Sequence, residues 1–410
     1  MKKILLPLVT VAALFALAGC SNHQVKHTEF KKSEALRYLY EVTYNDYDWK
    51  DVTDWMESSE KNNDSQGFGC SSVHYGNFYG RSFDFVYTDM NEFLVRTNHE
   101  NGHFASIGMA IANCKMTDER VKAINDGKDP LNEKLLPFSM VDGINENGVV
   151  CNTNVVPAHD LKAHEGEHEY FTHGTNPGKK DLFYQFMPRF ILDNAKSAKH
   201  AVDLLLDRNI TAMNSKGEKR DYLGVSKMGY ELHCMIADKN DTYIVELVND
   251  HLSVIAGDVM TNFYLSAMTK GGAGFERYQI LFQEYQNVKS VDDMKTLIQK
   301  VQYSPCYRSD LEGQNMPVWP TEFAGVKVDD VFGPLTFYNA DVWSREHWDE
   351  IKGPLQNAYL TTQSEEGRVS CDTEGSIPWI STHAETYDIE NRTLHLCTQE
   401  EYSKWTQYKL

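Results

Sequence analysis

The feature that most limits what this chain can fold into is a succession of short, two-residue alternations, each closed by turn residues. The run Gly67-Phe-Gly-Cys-Ser-Ser-Val-His-Tyr-Gly-Asn-Phe-Tyr-Gly-Arg-Ser-Phe-Asp-Phe85 alternates on both sides of Tyr75-Gly76-Asn77 and reads as two strands joined by a tight turn. Residues 104–112 and 141–156 continue the pattern, the second around Asn147-Gly148, a strong short hairpin signal. Residues 182–194 and 200–207 instead repeat apolar side chains at three- and four-residue spacing, the mark of helices with one buried face. Strands return at 232–237, 242–248 and 252–255, with 238–241 as a turn, and 275–288 and 292–301 are again helical. A helical patch is expected near 33–40. Strands, paired helices, then strands and helices together predict an α+β fold of antiparallel sheets covered by helices.

With 41% hydrophobic and 12% aromatic residues the chain can build a sizeable core. Its 59 acidic against 40 basic residues give a formal charge of −19, which repels nucleic acid and anionic membrane surfaces. No basic patch offsets this. At the start, Lys2 and Lys3, an apolar stretch over 4–15 and Leu17-Ala-Gly-Cys20 describe an export signal too short to span a bilayer stably. It resembles a bacterial lipoprotein signal, in which Cys20 is lipid-modified and becomes the mature N-terminus. The expected organisation is a signal peptide (1–19), a lipidated, propeptide-like segment (20–69) with a hydrophilic stretch over 57–66, and one main domain (70–410). The location implied is a bacterial cell envelope, with the membrane met only through the lipid.

Cys70 stands between a glycine and two serines at the head of the first hairpin, a setting that suits a nucleophile; cleavage before it would make it an N-terminal one. The hairpin would carry Arg81 and Asp84 back beside the thiol. A lone cysteine is as a rule an inert small apolar residue, so the case rests on its neighbours. Of the other cysteines, Cys114 and Cys151 lie in strands of one region and Cys371 and Cys397 flank a hairpin-like segment, making these the first disulfide pairs to check. No Cys-x-x-Cys motif is present, and a structural zinc site is not expected.

Cys70-Ser-Ser with Gly80-Arg-Ser-Phe-Asp84, Asp142-Gly-Ile-Asn-Glu-Asn-Gly148, Arg189-Phe-Ile-Leu-Asp-Asn194, Ile236-Ala-Asp-Lys with Ile244-Val-Glu246, Val259-Met-Thr-Asn262 and Arg277-Tyr278 occur in this order. Over residues 65–400 the set resembles the choloylglycine hydrolase family, which includes bile salt hydrolases and penicillin V acylases and has acid ceramidase among its relatives. The resemblance implies an N-terminal nucleophile hydrolase with an αββα four-layer sandwich, cutting the linear amide of a small N-acyl amine without a cofactor. By motif it makes Cys70 the nucleophile, Asp84 the holder of its free amine, Arg81 the residue orienting the thiol, Asn262 an oxyanion donor and Arg277 a buttress. A second oxyanion contributor is expected at Asn154, nearest in register to Pro157, with Asn152 on the same face by period two.

Two features depart from the commoner members. About fifty residues separate Cys20 from Cys70, as in the ceramidase-like branches that cut themselves, and Gly69 fits that branch. The turn between Cys70 and Arg81 is also shorter than usual, which bears on where Arg81 falls. An acyltransferase using the same acyl enzyme, and a ligand-binding lipoprotein that lost catalysis, are the alternatives. The loop over 159–181 gathers His159, His164, His168 and His173 among Glu165, Glu167 and Glu169; its spacing matches no established metal motif, and it reads as an acidic rim. The aromatic-rich 303–359 reads as core.

Overall fold

A computed structural model describes residues 25–59, 68–86, 92–98, 102–113, 116–157, 178–223, 230–248, 251–265, 275–302, 322–323, 326–327, 379–398 and 402–410. Cys20, Cys114, Cys306, Cys371, nearly all of the loop over 159–181 and most of 303–359 lie outside the described residues.

The chain begins with β1 (Lys26–His27), β2 (Lys31–Lys32), β3 (Leu39–Asp46) and α1 (Trp49–Glu57), then forms β4 (Phe68–Tyr75), β5 (Phe78–Val86), β6 (Glu92–Thr97) and β7 (Ser106–Ala110). Next come α2 (Asp118–Asn125), α3 (Pro130–Leu135), β8 (Asp142–Asn145), β9 (Val150–Pro157), β10 (Lys180–Phe183), α4 (Met187–Asn194), α5 (Ala198–Leu206) and β11 (Arg208–Thr211). The remainder comprises β12 (Tyr230–Ala237), β13 (Thr242–Val248), β14 (His251–Ala256), β15 (Val259–Met260), α6 (Phe275–Glu284), α7 (Val291–Gln299), β16 (Glu322–Phe323), β17 (Val326–Lys327), β18 (Trp379–Asp388), β19 (Thr393–Thr398) and β20 (Thr406–Lys409).

Two sheets dominate the described residues. One runs β1-β3-β6-β7-β8-β9-β12-β13-β14 with β2 beside β3, and the other runs β15-β4-β5-β18-β19-β20. Helices α4 and α5 cover the larger sheet at β8, β9, β12 and β13, α6 and α7 cover the smaller at β4, β5, β15 and β18, and β4 faces β9 between them. This is the αββα layering expected. One apolar core fills the space between the sheets and beneath α4 and α5, and a second lies under α6 and α7.

Local sequence explains the elements that set the site. The β4–β5 turn needs Gly76, whose φ of +59° suits a residue without a Cβ. Gly80 lets α7 lie directly on β5, since a Cβ there would come within 2.6 Å of Ile298 Cγ1. Ser197 and Ser290 cap α5 and α7 by accepting from the backbone N–H groups of His200 and Asp293. Of the helix expected over 182–194, residues 184–186 form a 3-10 turn and the α-helix proper runs from Met187 to Asn194. Leu182 and Phe183 pair in parallel with Ile210 and Thr211, and Pro188 sits in the first helical turn, where no N–H is needed.

Three expectations are corrected. Residues 33–40 form a turn leading into β3, not a helix, because Leu39 onward is taken up by pairing with β6. Residues 25–57, within the propeptide-like segment expected over 20–69, do not form a unit apart from the rest: β3 lies parallel to β6 inside the large sheet, with Tyr40, Val42 and Tyr44 in its core. Tyr47 Oη and Trp49 Nε1 donate to Asp193 at 2.6 and 2.9 Å, and Trp55 of α1 packs edge-on against Phe183 and Tyr222. Finally, Cys151 and Cys397 are free buried thiols, so neither disulfide considered above forms. Burial pushes the Cys397 thiol up to about 12.

Candidate active site

The β4–β5 register decides which side chains meet. Cys70 lies opposite Phe83 and Ser72 opposite Arg81, so Cys70, Ser72, Tyr79, Arg81 and Phe83 share the face turned toward the larger sheet. Tyr79 Oη and Ser72 Oγ accordingly donate to Asn152 and Asn154 of β9. Ser71, Ser82 and Asp84 take the opposite face, toward α6 and α7. The short turn does not displace Arg81: its Nη2 lies 3.7 Å from Cys70 Sγ and donates to the Thr153 carbonyl at 2.7 Å, while Nη1 is ion-paired with Asp142.

On the other face Arg277 of α6 gathers the backbone of the nucleophile. Its Nη1 donates to the Cys70 carbonyl (2.8 Å), Ser71 Oγ (2.7 Å) and Asp84 Oδ2 (3.1 Å), and its Nη2 to Asn262 Oδ1 (2.5 Å). Asn262 follows β15, which pairs with β4 and so sets it beside the strand of Cys70. Its Oδ1 also accepts from the Cys70 backbone N–H at 3.0 Å, and its Nδ2 donates to the Val155 carbonyl at 2.8 Å. Asp84 is completed by Ser82 Oγ (2.7 Å) and Ser381 Oγ (2.6 Å), both donating to Oδ1.

Cys70, Arg81, Asp84, Asn262 and Arg277 are thus brought together, all buried. Asn154 is placed differently from the expectation. Its Nδ2 donates to the carbonyls of Thr261 (3.1 Å) and Met260 (3.4 Å), so its amide is committed to holding the segment that carries Asn262. Sequence reasoning missed Ser381 and the Thr153 carbonyl, and it quoted Asp142 only as part of a motif. Ser381 had no signal, since its contact with Asp84 depends on strand order.

Burial governs the electrostatics. It pushes the Cys70 thiol up to about 11, opposed by Arg81 and reinforced by Asp84. It also raises the Asp84 carboxyl above its ordinary range, against the pull of Arg277 and the two serine hydroxyls. A thiol held this high is protonated near neutrality, and attack requires a base that takes its proton as the bond forms. Three side chains with metal-ligating atoms, Asp142, His383 and Glu385, also converge behind Arg81. There the Arg81 guanidinium already sits on Asp142 Oδ2, in the place a cation would take. A separate cavity of about 520 Å³, lined by Trp49, Met56, Phe183 and Arg208 among others, lies between α1 and the β10–β11 pair and does not include Cys70.

No family model matches the chain, and no curated protein does. Among solved structures it is similar to two variants of the conjugated bile acid hydrolase from Clostridium perfringens, at 13% and 14% identity and a TM-score of 0.40. Each alignment covers 83% of this chain and 92% of that one. It is also similar to penicillin V acylase from Agrobacterium tumefaciens, at 12% identity and a TM-score of 0.37, covering 80% of this chain and 83% of that one.

Proposed function

We propose that this chain is a cysteine amide hydrolase of the N-terminal nucleophile kind, activated by cleavage between Gly69 and Cys70. The observation that carries the reading is the double hold on one residue: Arg81 reaches the Cys70 thiol at 3.7 Å while Asn262 takes the Cys70 backbone nitrogen at 3.0 Å. A nitrogen held in this way becomes, once the peptide bond is cut, an α-amine with a pKa near ~7.7 to 8.0. It accepts the thiol proton as Sγ bonds to the substrate carbonyl carbon, then returns a proton to the leaving amine as the C–N bond breaks. Water attacks the resulting thioester and releases the acid. Asn262 keeps one amide proton beyond its bond to Val155 for the oxyanion, a donor typically worth ~2.7 to 4 kcal/mol.

In activation the same thiol attacks the Gly69 carbonyl carbon, the Cys70 nitrogen leaves, and water hydrolyses the thioester to a Gly69 carboxylate and a free amine. The substrate class in this reading is an N-acyl amine or N-acyl amino acid conjugate, of bile salt or penicillin V type. Export and anchoring through a lipid on Cys20 complete it, supported by the charge and apolar pattern of residues 2–20.

The test is hydrolysis of a panel of N-acyl amines, including taurine and glycine conjugates and a phenoxyacetyl amide. Cys70→Ser is expected to lose most of the activity and Cys70→Ala all of it, whereas Cys234→Ala in folded protein keeps it. Turnover by folded Cys70→Ala overturns the assignment of the nucleophile. Tight binding of a panel member without hydrolysis by cleaved wild type favours the binding-protein alternative.

A further inference from the structure

Behind Arg81, on the side of its guanidinium away from the thiol, the two sheets enclose five ionisable side chains with almost no exposure. Asp142 of β8 takes Arg81 Nη1 on Oδ2, while its Oδ1 accepts from Tyr387 Oη (2.7 Å) and the Met109 N–H (3.1 Å). His383 of β18 lies between acids from three strands. Its Nδ1 is 2.7 Å from Glu92 Oε1 of β6, and its Nε2 is 3.4 Å from both Asp142 Oδ2 and Glu385 Oε2. Glu385 accepts no hydrogen bond from the described residues, and its Oε1 is 3.8 Å from Arg81 Nη1. The Phe83 ring contacts both cations, stacked on His383 at 4.7 Å and 4.7 Å from the Arg81 guanidinium carbon.

A neutral imidazole has one N–H, so one of its nitrogens would aim a lone pair at a buried carboxylate; an imidazolium donates on both sides. Two cations then balance the carboxylates of Glu92 and Asp142, with Glu385 as the uncharged acid. Deepening the function proposed above, on which it rests, we infer that His383 is a positioning residue: held as an imidazolium between Glu92 and the Asp142–Glu385 pair, it fixes Asp142, which in turn fixes Arg81 against the Cys70 thiol. The surroundings favour that charge state: burial opposes it, and the Glu92 carboxylate and the hydrogen bonds to Asp142 and Glu92 raise the imidazole above its ordinary value. They also hold Glu385 well above the usual carboxylate range, through burial and the neighbouring Asp142. Without His383, Asp142 loses a donor on Oδ2 and Glu92 loses the cation it faces, and the guanidinium loses its fixed anchor.

The test is a double-mutant cycle of His383→Gln with Arg81→Lys, read by kcat and KM on the best amide of the panel. His383→Gln alone should lower kcat about tenfold at unchanged KM, and add little to the loss in Arg81→Lys, because both act through one contact. Additive losses overturn the proposal, as does stoichiometric metal in the purified wild type. A second readout needs no turnover: the Arg81 Nη–H resonances, assigned by their loss in Arg81→Lys, should be resolved and slow to exchange in wild type and averaged in His383→Gln. Unchanged Arg81 signals in the folded variant overturn it. Should His383→Gln not fold, Glu92→Gln takes its place, with the His383 ring titrating at lower pH and the Arg81 signals broadened; a shifted His383 with unaltered Arg81 signals is the contrary result. An inactive wild type with fixed Arg81 signals that His383→Gln loosens would sink the hydrolase reading and leave this role standing.

Discussion

Arg277 Nη2 donates to Asn262 Oδ1 at 2.5 Å, on the same oxygen that receives the Cys70 backbone N–H at 3.0 Å. Because two donors fix the amide oxygen, the orientation of the amide is fixed too, and Nδ2 is turned toward the Val155 carbonyl. One helix residue therefore orders the nucleophile's nitrogen and the oxyanion donor together.

Asn262→Ala should then lower the chemical rate by ~10²-fold or more with substrate affinity little changed, since the donor acts on charge that exists in the transition state. Asn262→Asp should do likewise, as a carboxylate cannot donate. Single-turnover hydrolysis at matched folded fraction measures both, and wild-type rates in either variant would remove Asn262 from the oxyanion site.

Arg277 also answers Asp84 inside the protein, at 3.1 Å with both side chains buried. Truncation in Arg277→Ala leaves that carboxylate without its cation, and breaking a buried pair in this way costs about 3 to 5 kcal/mol. Urea unfolding should show a midpoint lowered accordingly, with Asp84→Asn costing less because the amide still accepts from Ser82 and Ser381. A midpoint for Arg277→Ala equal to wild type would contradict the pairing.

Cleavage before Cys70 should yield two fragments that stay together. Strand β3 remains paired along β6, and α1 remains docked on Phe183 and Tyr222, whatever happens to the peptide bond. Denaturing mass spectrometry should find both fragments, native mass spectrometry one particle, and Cys70→Ala a single uncut chain. Only uncut chain in a preparation that hydrolyses amides would end the self-processing scheme.

His383 makes a pH-dependent contribution whose sign is fixed. Its imidazole is raised in the folded chain from 6.5 to about 10, so the stabilisation is complete below pH 6.5 and is lost as pH rises toward 10. Asp142 is held below the usual carboxylate range; burial opposes this, and Arg81 and His383 outweigh it, so its stabilisation is present above about pH 4 and fades in acid. The difference in urea midpoint between wild type and His383→Gln should be flat from about pH 4 to 6.5 and close toward pH 10. A difference that widens with pH in that window would mean His383 is neutral.

What the sequence determined by itself is local. Alternation and Gly76 set the β4–β5 hairpin, which places Arg81 near Cys70 because register follows from a two-residue turn. Apolar spacing set α5, α6 and α7 to within a residue or two of one or both ends, and Asp84, Asn262 and Arg277 were legible as motif positions. The tertiary structure decided what depends on strand order. Ser381, His383, Glu385 and Tyr387 alternate in sequence and by period two would share a face. A register shift between Ser381 and His383 instead sets Ser381 opposite Asp84 and His383 opposite Phe83, on the two faces of the sheet. One inserted residue inverts a local pattern, and only the partner strand shows where it falls. The same holds for the segment over 20–69, expected as a propeptide-like unit: the β3–β6 pairing that buries its residues 39–46 is not a local property. Asn154 reads as a free donor for the same reason: the carbonyls of Met260 and Thr261 that claim its amide reach it only when β15 closes the smaller sheet.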